Sequence, residues 1–237
     1  MRNFIIYHHD RNIFISTEKT PNVKSLKFLL SNEDADEIIL PENYGTGMHF
    51  EREDKKEIAR SPLAQHIFKN NFVKSVFLGR NFLTVTKDSD NYWRNLEDMV
   101  SNSIMNFYLE GKPVIEDAPL MSDTAILDTD SEVIATIKEL METRVRPSVQ
   151  EDGGDIFYEG FDEKTGIVKV RLAGSCVGCP SSSVTLRNGV ENMLMHYIPE
   201  VKGIQDMTGV EVPSEEGGES TTSGDMKLSF PPNQVRD

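Results

Sequence analysis

The residues best suited to chemistry in this chain are its two cysteines, Cys176 and Cys179, in the motif CVGC. Glycines at 174 and 178 allow backbone conformations that turn both sulfur atoms to one side. A helix is predicted to begin at Pro180, so Cys179 lies near a helix N-terminus, where the helix dipole favours thiolate over thiol. Thiolates ligate soft metals and attack disulfides. The motif therefore predicts a metal or redox site.

Four interpretations of the cysteine pair remain open on spacing alone. Two unreactive buried cysteines are the simplest, because free cysteine often behaves as a small apolar residue. Thiol–disulfide exchange fits the spacing, but such sites usually follow a βαβ pattern, which the predicted elements lack. Structural zinc needs four ligands, and only His196 is near. An iron–sulfur cluster usually takes four thiolates, so two chains would each donate Cys176 and Cys179.

Other candidate sites are weaker. His8 and His9 form an isolated pair, and an N-terminal pair alone supplies too few ligands for a metal site. The run from Asp152 to Asp155 contains two glycines and lacks the ligand spacing of a calcium loop, so it predicts a tight turn. No Ser/His/Asp or nucleotide-loop pattern is present.

Composition excludes several classes of protein. The 237 residues include 25 Lys and Arg against 39 Asp and Glu, which gives a net charge of −14. Nucleic acid is a poor partner for such a chain, because phosphate neutralisation needs clustered basic residues. No run approaches the roughly 18 apolar residues of a membrane span. Two cysteines exclude a disulfide-rich secreted scaffold. We expect a soluble, acidic, intracellular protein without membrane insertion.

Two small two-layer α+β domains are predicted. The first spans 12–111, an acidic linker spans 112–128, the second domain spans 129–207, and a polar, disordered tail spans 208–237. In the first domain, we predict strands over 13–15 and 25–29, a helix after Ser61-Pro62, a hairpin over 73–86, and a helix over 91–109 ended by Gly111. The linker has little to bury.

The second domain follows an α-β-β-α-β order. Thr129 and Glu132 have capping-box spacing, and Arg146-Pro147 is predicted to end the first helix. The remaining predicted elements are strands over 156–161 and 167–172, a helix from 180 to about 197, and a short apolar stretch over 198–204.

These residues resemble a known family. RVRPSVQEDGGDIFYEGF and VRLAGSCVGCPSSSVTLRNGVENMLMHYIPEV closely resemble the NifU-like C-terminal domain of Nfu iron–sulfur scaffold proteins. TEKTPNVKSLKF, SPLAQHIF and VKSVFLGRNFLTVTK resemble the separate Nfu N-terminal domain. Together they cover about residues 12–205 in the order of the family, and they look most like its mitochondrial two-domain form.

The resemblance implies that Cys176 and Cys179 bind one [4Fe–4S] cluster bridged between two protomers, so a homodimer forms on cluster binding. It implies a carrier, not an enzyme, that accepts the cluster from upstream assembly factors and passes it to apo-proteins such as lipoyl synthase and respiratory-chain proteins. The implied location is the mitochondrial matrix, with a bacterial cytoplasm as the alternative. The N-terminal domain has no cysteine, so it would act through partner contacts or positioning.

Overall fold

The structure is a computed structural model. It describes residues 13–32, 39–41, 44–88, 90, 92–116, 122–178 and 180–208, without the side chains of 180–185. It contains a five-stranded and a three-stranded sheet, each accompanied by helices, and the α+β class with two units is confirmed. We call the described residues up to 116 the first unit and those from 122 to 208 the second unit. The predicted tail beyond 208, His8 and His9 lie outside the described residues.

The sheet of the first unit is antiparallel, with strand order β1-β2-β5-β4-β3. Its strands are β1 Phe14–Lys19, β2 Ser25–Ser31, β3 Gly47–Glu51, β4 Val73–Gly79 and β5 Phe82–Lys87. The first two strands and the hairpin are those predicted. The sequence did not predict β3, a five-residue strand in which only Met48 and Phe50 are buried.

Three helices complete the first unit: α1 Lys55–Ala59, α2 Pro62–Ile67 and α3 Trp93–Leu109. Ser61 caps α2 as the sequence predicts, because its hydroxyl oxygen accepts a hydrogen bond from the Ala64 amide at 3.1 Å. Gly111 follows α3 with φ +65°, which fits its predicted role as a helix stop.

The predicted linker is anchored at both ends. Val114 and Ile115 are buried in the core of the first unit, and the Ser61 hydroxyl donates to the Val114 carbonyl at 2.8 Å. Asp123, at the other end, accepts hydrogen bonds from the guanidinium of Arg146 at 2.8 Å. The prediction that this segment has little to bury is wrong at Val114 and Ile115, an apolar pair that directly precedes the first acidic residues of the segment.

The sheet of the second unit joins β6 Gly154–Asp162, β7 Ile167–Gly174 and β8 Gly203–Asp206. β6 and β7 are antiparallel, but β8 pairs parallel to β7 and is reached through the helix α6, Pro180–Tyr197. The predicted α-β-β-α-β order is therefore confirmed. The expectation that a βαβ pattern is absent is wrong, because β7, α6 and β8 form one.

The first helix of the second unit is longer than predicted. It runs through α4 Glu132–Leu140, a π-helical turn Met141–Val145 and α5 Arg146–Glu151. Its N-cap is Ser131, not Thr129, because the Ser131 hydroxyl accepts from the Ile134 amide. Pro147 does not end the helix. It follows the widened π turn, where the hydrogen bond that proline cannot donate is not required.

Arg146 connects this helix to the linker and to β6. Its guanidinium contacts Asp155 at 3.1 Å, Asp123 at 2.8 Å and Glu142, and it donates to the Ile156 carbonyl at 3.1 Å. Burial alone would lower the pKa of Arg146, but the three carboxylates raise it above its ordinary value. Arg146 therefore remains charged and compensates Asp155, which has no exposed surface.

Four side chains join the two units through an apolar cluster. Phe77 and Phe82 come from β4 and β5, and they pack against Phe157 and Ala173 from β6 and β7. All four are buried. The contact brings the middle of the first sheet against the hairpin that leads into the cysteine motif.

Replacing Arg146 should destabilise the protein strongly. Arg146→Met leaves the buried Asp155 carboxylate without its cation, and we expect the free energy of unfolding to fall by about 3–5 kcal/mol. Arg171→Met is the matched control, because Arg171 pairs with Glu159 in a partly exposed position and should cost roughly 0–1 kcal/mol. Urea denaturation followed by circular dichroism measures both. Equal losses in the two variants would contradict the role given to Arg146.

Candidate functional site

The cysteine motif lies between β7 and α6, the strand-to-helix junction of the βαβ unit. β7 ends at Gly174, residues 175–178 form a turn, and α6 begins at Pro180. Cys176 is 4% exposed and belongs to the core of the second unit. Cys179 lies outside the described residues. We call residues 174–179 the cysteine loop.

Cys176 lies against a position that has no room for a side chain. A Cβ added to Gly154 would be 2.3 Å from the Cys176 sulfur and 3.0 Å from the Ala173 carbonyl oxygen. Glycine is thus required at 154 by the close approach of the thiol. The predicted turn over 152–155 is present, with Gly153 at φ +78°, but its contact with Cys176 was not predicted from the sequence. The only signal was the Gly-Gly pair itself.

The two glycines of the cysteine loop are required for different reasons. Gly174 has φ +63°, and a Cβ there would be 2.6 Å from the Gly153 carbonyl oxygen. Gly178 has φ +69°, and among the described residues a Cβ there would meet no atom within 4 Å. Gly174 is therefore restricted by both packing and backbone conformation, whereas the restriction that the described residues show at Gly178 is its backbone conformation.

Side chains of the first unit bind the backbone of the cysteine loop. The Asn22 amide nitrogen donates to the carbonyls of Ser175, at 3.0 Å, and Val177, at 3.2 Å. The Gly174 amide donates to Nδ1 of His49 at 3.3 Å. Sequence reasoning assigned Asn22 only to a turn, because no local signal connects residues that lie 153 positions apart.

Two arginines near the motif in sequence, Arg171 and Arg187, bind elsewhere. Arg171 pairs with Glu159 at 2.7 Å and lies over the ring of Phe157. Arg187 donates to the Ile204 carbonyl at 3.2 Å. The guanidinium groups on either side of the cysteine motif in the sequence are thus bound to other groups.

His196 is remote from the cysteine loop. It lies near the far end of α6, and its ring contacts Tyr197 edge to face. At 1.5 Å per residue, sixteen residues of helix place it about 24 Å along the axis from Pro180. A zinc site that combines His196 with the cysteines of the same chain is therefore excluded by geometry. Within the described residues, no three His, Cys, Asp or Glu side chains are grouped to hold a metal.

The cysteine loop could supply only a few protein ligands to a bound metal. The amides of Ser175 and Val177 donate to backbone carbonyls of the protein itself, so Cys176 is the group that this part of the loop could offer to a metal. The burial of Cys176 restricts its attack on a large disulfide substrate, because reactive cysteines in exchange are partly exposed. None of the described helices has the length and apolar character to cross a membrane.

Comparison with known proteins identifies two domain families. Residues 15–111 match the family model described as scaffold protein Nfu/NifU N terminal, and residues 137–205 match the NifU-like domain. A solution NMR structure of a NifU-like protein from Saccharomyces cerevisiae matches with a TM-score of 0.39 and 28% sequence identity, covering 49% of this chain and 99% of that one.

Relatives align over most of the chain. NifU-like protein 5, mitochondrial, of Arabidopsis thaliana is 48% identical over 219 residues, covering 92% of this chain and 74% of the relative. The human NFU1 iron-sulfur cluster scaffold homolog, mitochondrial, is 43% identical over 212 residues, covering 89% and 78%. These names agree with the mitochondrial localisation that the family resemblance implies. Two domain models in the predicted order and relatives of this similarity show that the chain belongs to the family of NifU-like proteins with an N-terminal Nfu domain.

Proposed function

We propose that this protein is an iron–sulfur cluster scaffold that binds a [4Fe–4S] cluster between two protomers through Cys176 and Cys179. The observation that carries the proposal is Cys176 on a glycine-lined loop at a strand-to-helix junction, in a chain whose relatives include a named iron-sulfur cluster scaffold homolog. The protein is a binding and transfer module, not an enzyme, and the cluster is its cargo.

The number of cysteines supports a shared site. The chain has two, whereas a [4Fe–4S] cluster is usually held by four thiolates, so two chains complete it. Cluster affinity and dimer stability are then one linked quantity. Each protomer has a net charge of −14, and this repulsion opposes association without the cluster. We therefore expect an apo monomer and a labile holo dimer.

Cluster transfer is a ligand exchange. Each thiolate of the carrier that leaves an iron atom is replaced by a ligand from the client, so the oxidation state of the cluster does not change. The clients we propose are apo-proteins such as lipoyl synthase and respiratory-chain proteins, with upstream assembly factors as the source. The mitochondrial matrix is the proposed compartment.

A thiol–disulfide oxidoreductase that uses the same cysteines is the alternative. The βαβ placement of the motif favours it, because redox-active pairs occur at such junctions. The burial of Cys176 opposes it. The two functions separate in a simple assay: an oxidoreductase reduces a disulfide substrate as a monomer without iron, and a scaffold does not.

Anaerobic reconstitution with iron and sulfide tests the scaffold. We expect thiolate-to-iron absorption, about four irons per two chains and a doubling of the molecular mass. Cys176→Ala and Cys179→Ala should each abolish the absorption and the dimer. Cys176→Ala should reduce the free energy of unfolding by only about 1 kcal/mol, because one buried atom is lost.

Val177→Ala is the control, since it alters the same loop and retains both thiols. It should bind the cluster as the parent does. A colourless parent that reduces disulfides would contradict the proposal and favour the oxidoreductase. Iron uptake by both cysteine variants would show that other groups hold the metal.

Gly154→Ala should impair cluster binding through the sulfur of Cys176. The new methyl group would lie 2.3 Å from this atom, so the thiol must rotate or β6 must shift. We expect at least a severalfold loss of bound iron and a loss of about 1–3 kcal/mol in the free energy of unfolding, as for overpacking.

Gly189→Ala is the matched control. Gly189 lies in α6, and outside the backbone of its own helix no described atom is within 4 Å of an added Cβ, so alanine should stabilise the helix by about 1 kcal/mol and leave iron binding unchanged. Normal iron content in Gly154→Ala would show that the position of the sulfur against β6 does not matter for the cluster.

A further inference from the structure

Side chains of the first unit satisfy a series of backbone groups around Cys176. They bind two segments of the second unit, the turn before β6 and the cysteine loop. The hydrogen bonds are Lys27 Nζ to the Glu151 carbonyl at 3.1 Å, Thr84 Oγ1 to the Gly153 carbonyl at 2.7 Å, Asn22 Nδ2 to the Ser175 and Val177 carbonyls at 3.0 and 3.2 Å, and the Gly174 amide to His49 Nδ1 at 3.3 Å.

Asn22 is itself held firmly for this contact. It is 6% exposed, and its Oδ1 accepts a hydrogen bond from the Lys24 amide at 3.0 Å. Its backbone carbonyl accepts from the Thr20 hydroxyl at 2.8 Å and from the Ser25 amide at 2.8 Å. Because Oδ1 is occupied within its own turn, the amide nitrogen is directed at the cysteine loop.

The two carbonyls bound by Asn22 flank Cys176 in the chain. A buried carbonyl that loses its donor is costly, so the backbone conformation on both sides of the thiol depends on one amide group. The same turn approaches Gly153 closely, where an added Cβ would be 3.1 Å from Thr20 Cγ2. The contact is therefore packed as well as hydrogen-bonded.

His49 provides a second point of attachment. Its Nε2 lies 2.9 Å from Glu51 Oε1, which leaves Nδ1 as the acceptor for the Gly174 amide. Gly174 is the residue whose positive φ turns the chain out of β7. The first unit thus binds the cysteine loop where it begins and on both sides of its first cysteine.

We propose that the first unit is an intramolecular positioning frame for the cysteine loop, with Asn22 as its main positioning residue. This inference deepens the proposed function, because it gives the cysteine-free unit a role at the cluster site. The frame fixes the backbone that carries Cys176 and limits opening of the loop. The frame acts within the chain and requires no partner protein.

The test uses the full-length chain with Cys179→Ser, in which Cys176 is the remaining thiol. The rate of Cys176 alkylation by iodoacetamide, in reduced apo protein, reports opening of the loop. Asn22→Ala removes two hydrogen bonds, and we expect a rate increase of about tenfold. Val23→Ala is the control on the same turn: Val23 is 83% exposed, and its variant should react at the parent rate.

A second variant covers the case in which Asn22→Ala unfolds the first unit. Fluorescence of Trp93, the single tryptophan, reports whether this unit remains folded. If Asn22→Ala unfolds it, Thr84→Val replaces it, because valine keeps the shape of threonine and loses the donor to Gly153. Thr84→Val should also accelerate alkylation severalfold. Alkylation at the parent rate in a folded variant overturns the frame and leaves the first unit with partner contacts alone.

Cluster lifetime connects the frame to the proposed function. With both cysteines present, the reconstituted cluster should be lost to a chelator severalfold faster in Asn22→Ala than in Val23→Ala. Equal lifetimes in the two variants would overturn a role of the frame at the cluster. If the parent binds no cluster, the proposed function fails, but the alkylation rates still decide whether the frame exists.

Discussion

The close approach of the Cys176 sulfur to the backbone of Gly154 is the constraint on which the site depends. A thiol can lie there only because β6 begins with a residue that has no Cβ. The pairing of Gly154 with Gly174 then brings two glycine-bearing segments into register. The backbone must turn sharply on both sides, at Gly153 and Gly174, and both have positive φ. The position of the sulfur atom thus explains Gly154, and the positive φ of the turns beside it explains Gly153 and Gly174.

The charge network around Arg146 holds β6 in position, the strand that begins with Gly154. Asp155 follows Gly154 directly, and its carboxylate is bound by Arg146 and by the Ile156 amide at 2.7 Å. The helix that carries Arg146 passes through a π turn and continues past Pro147 to Glu151, three residues before β6 begins. A buried ion pair is costly to form, but it fixes a single position for the strand.

Local signals in the sequence predicted most elements, and long-range contacts were not predictable. The cap at Ser61 and the stop at Gly111 follow from residues within one helical turn. Pro147 misled the prediction, because a π turn, which depends on packing, relieves its missing donor. The motif predicted Cys176 as a site residue. Asn22 was not predicted, because it contacts the cysteine loop only where the two units pack against each other. The periodicity of a single sequence does not indicate a contact between segments so far apart in the chain.

The anchored linker bounds any separation of the two units. Ile115 is buried in one core and Asp123 is bound to Arg146 in the other unit, so a fully extended chain between these anchors spans at most about 28 Å. A first unit released from the cysteine loop therefore stays within this radius, at an effective concentration on the order of millimolar. Any partner protein that binds the cysteine loop must therefore compete with the tethered first unit.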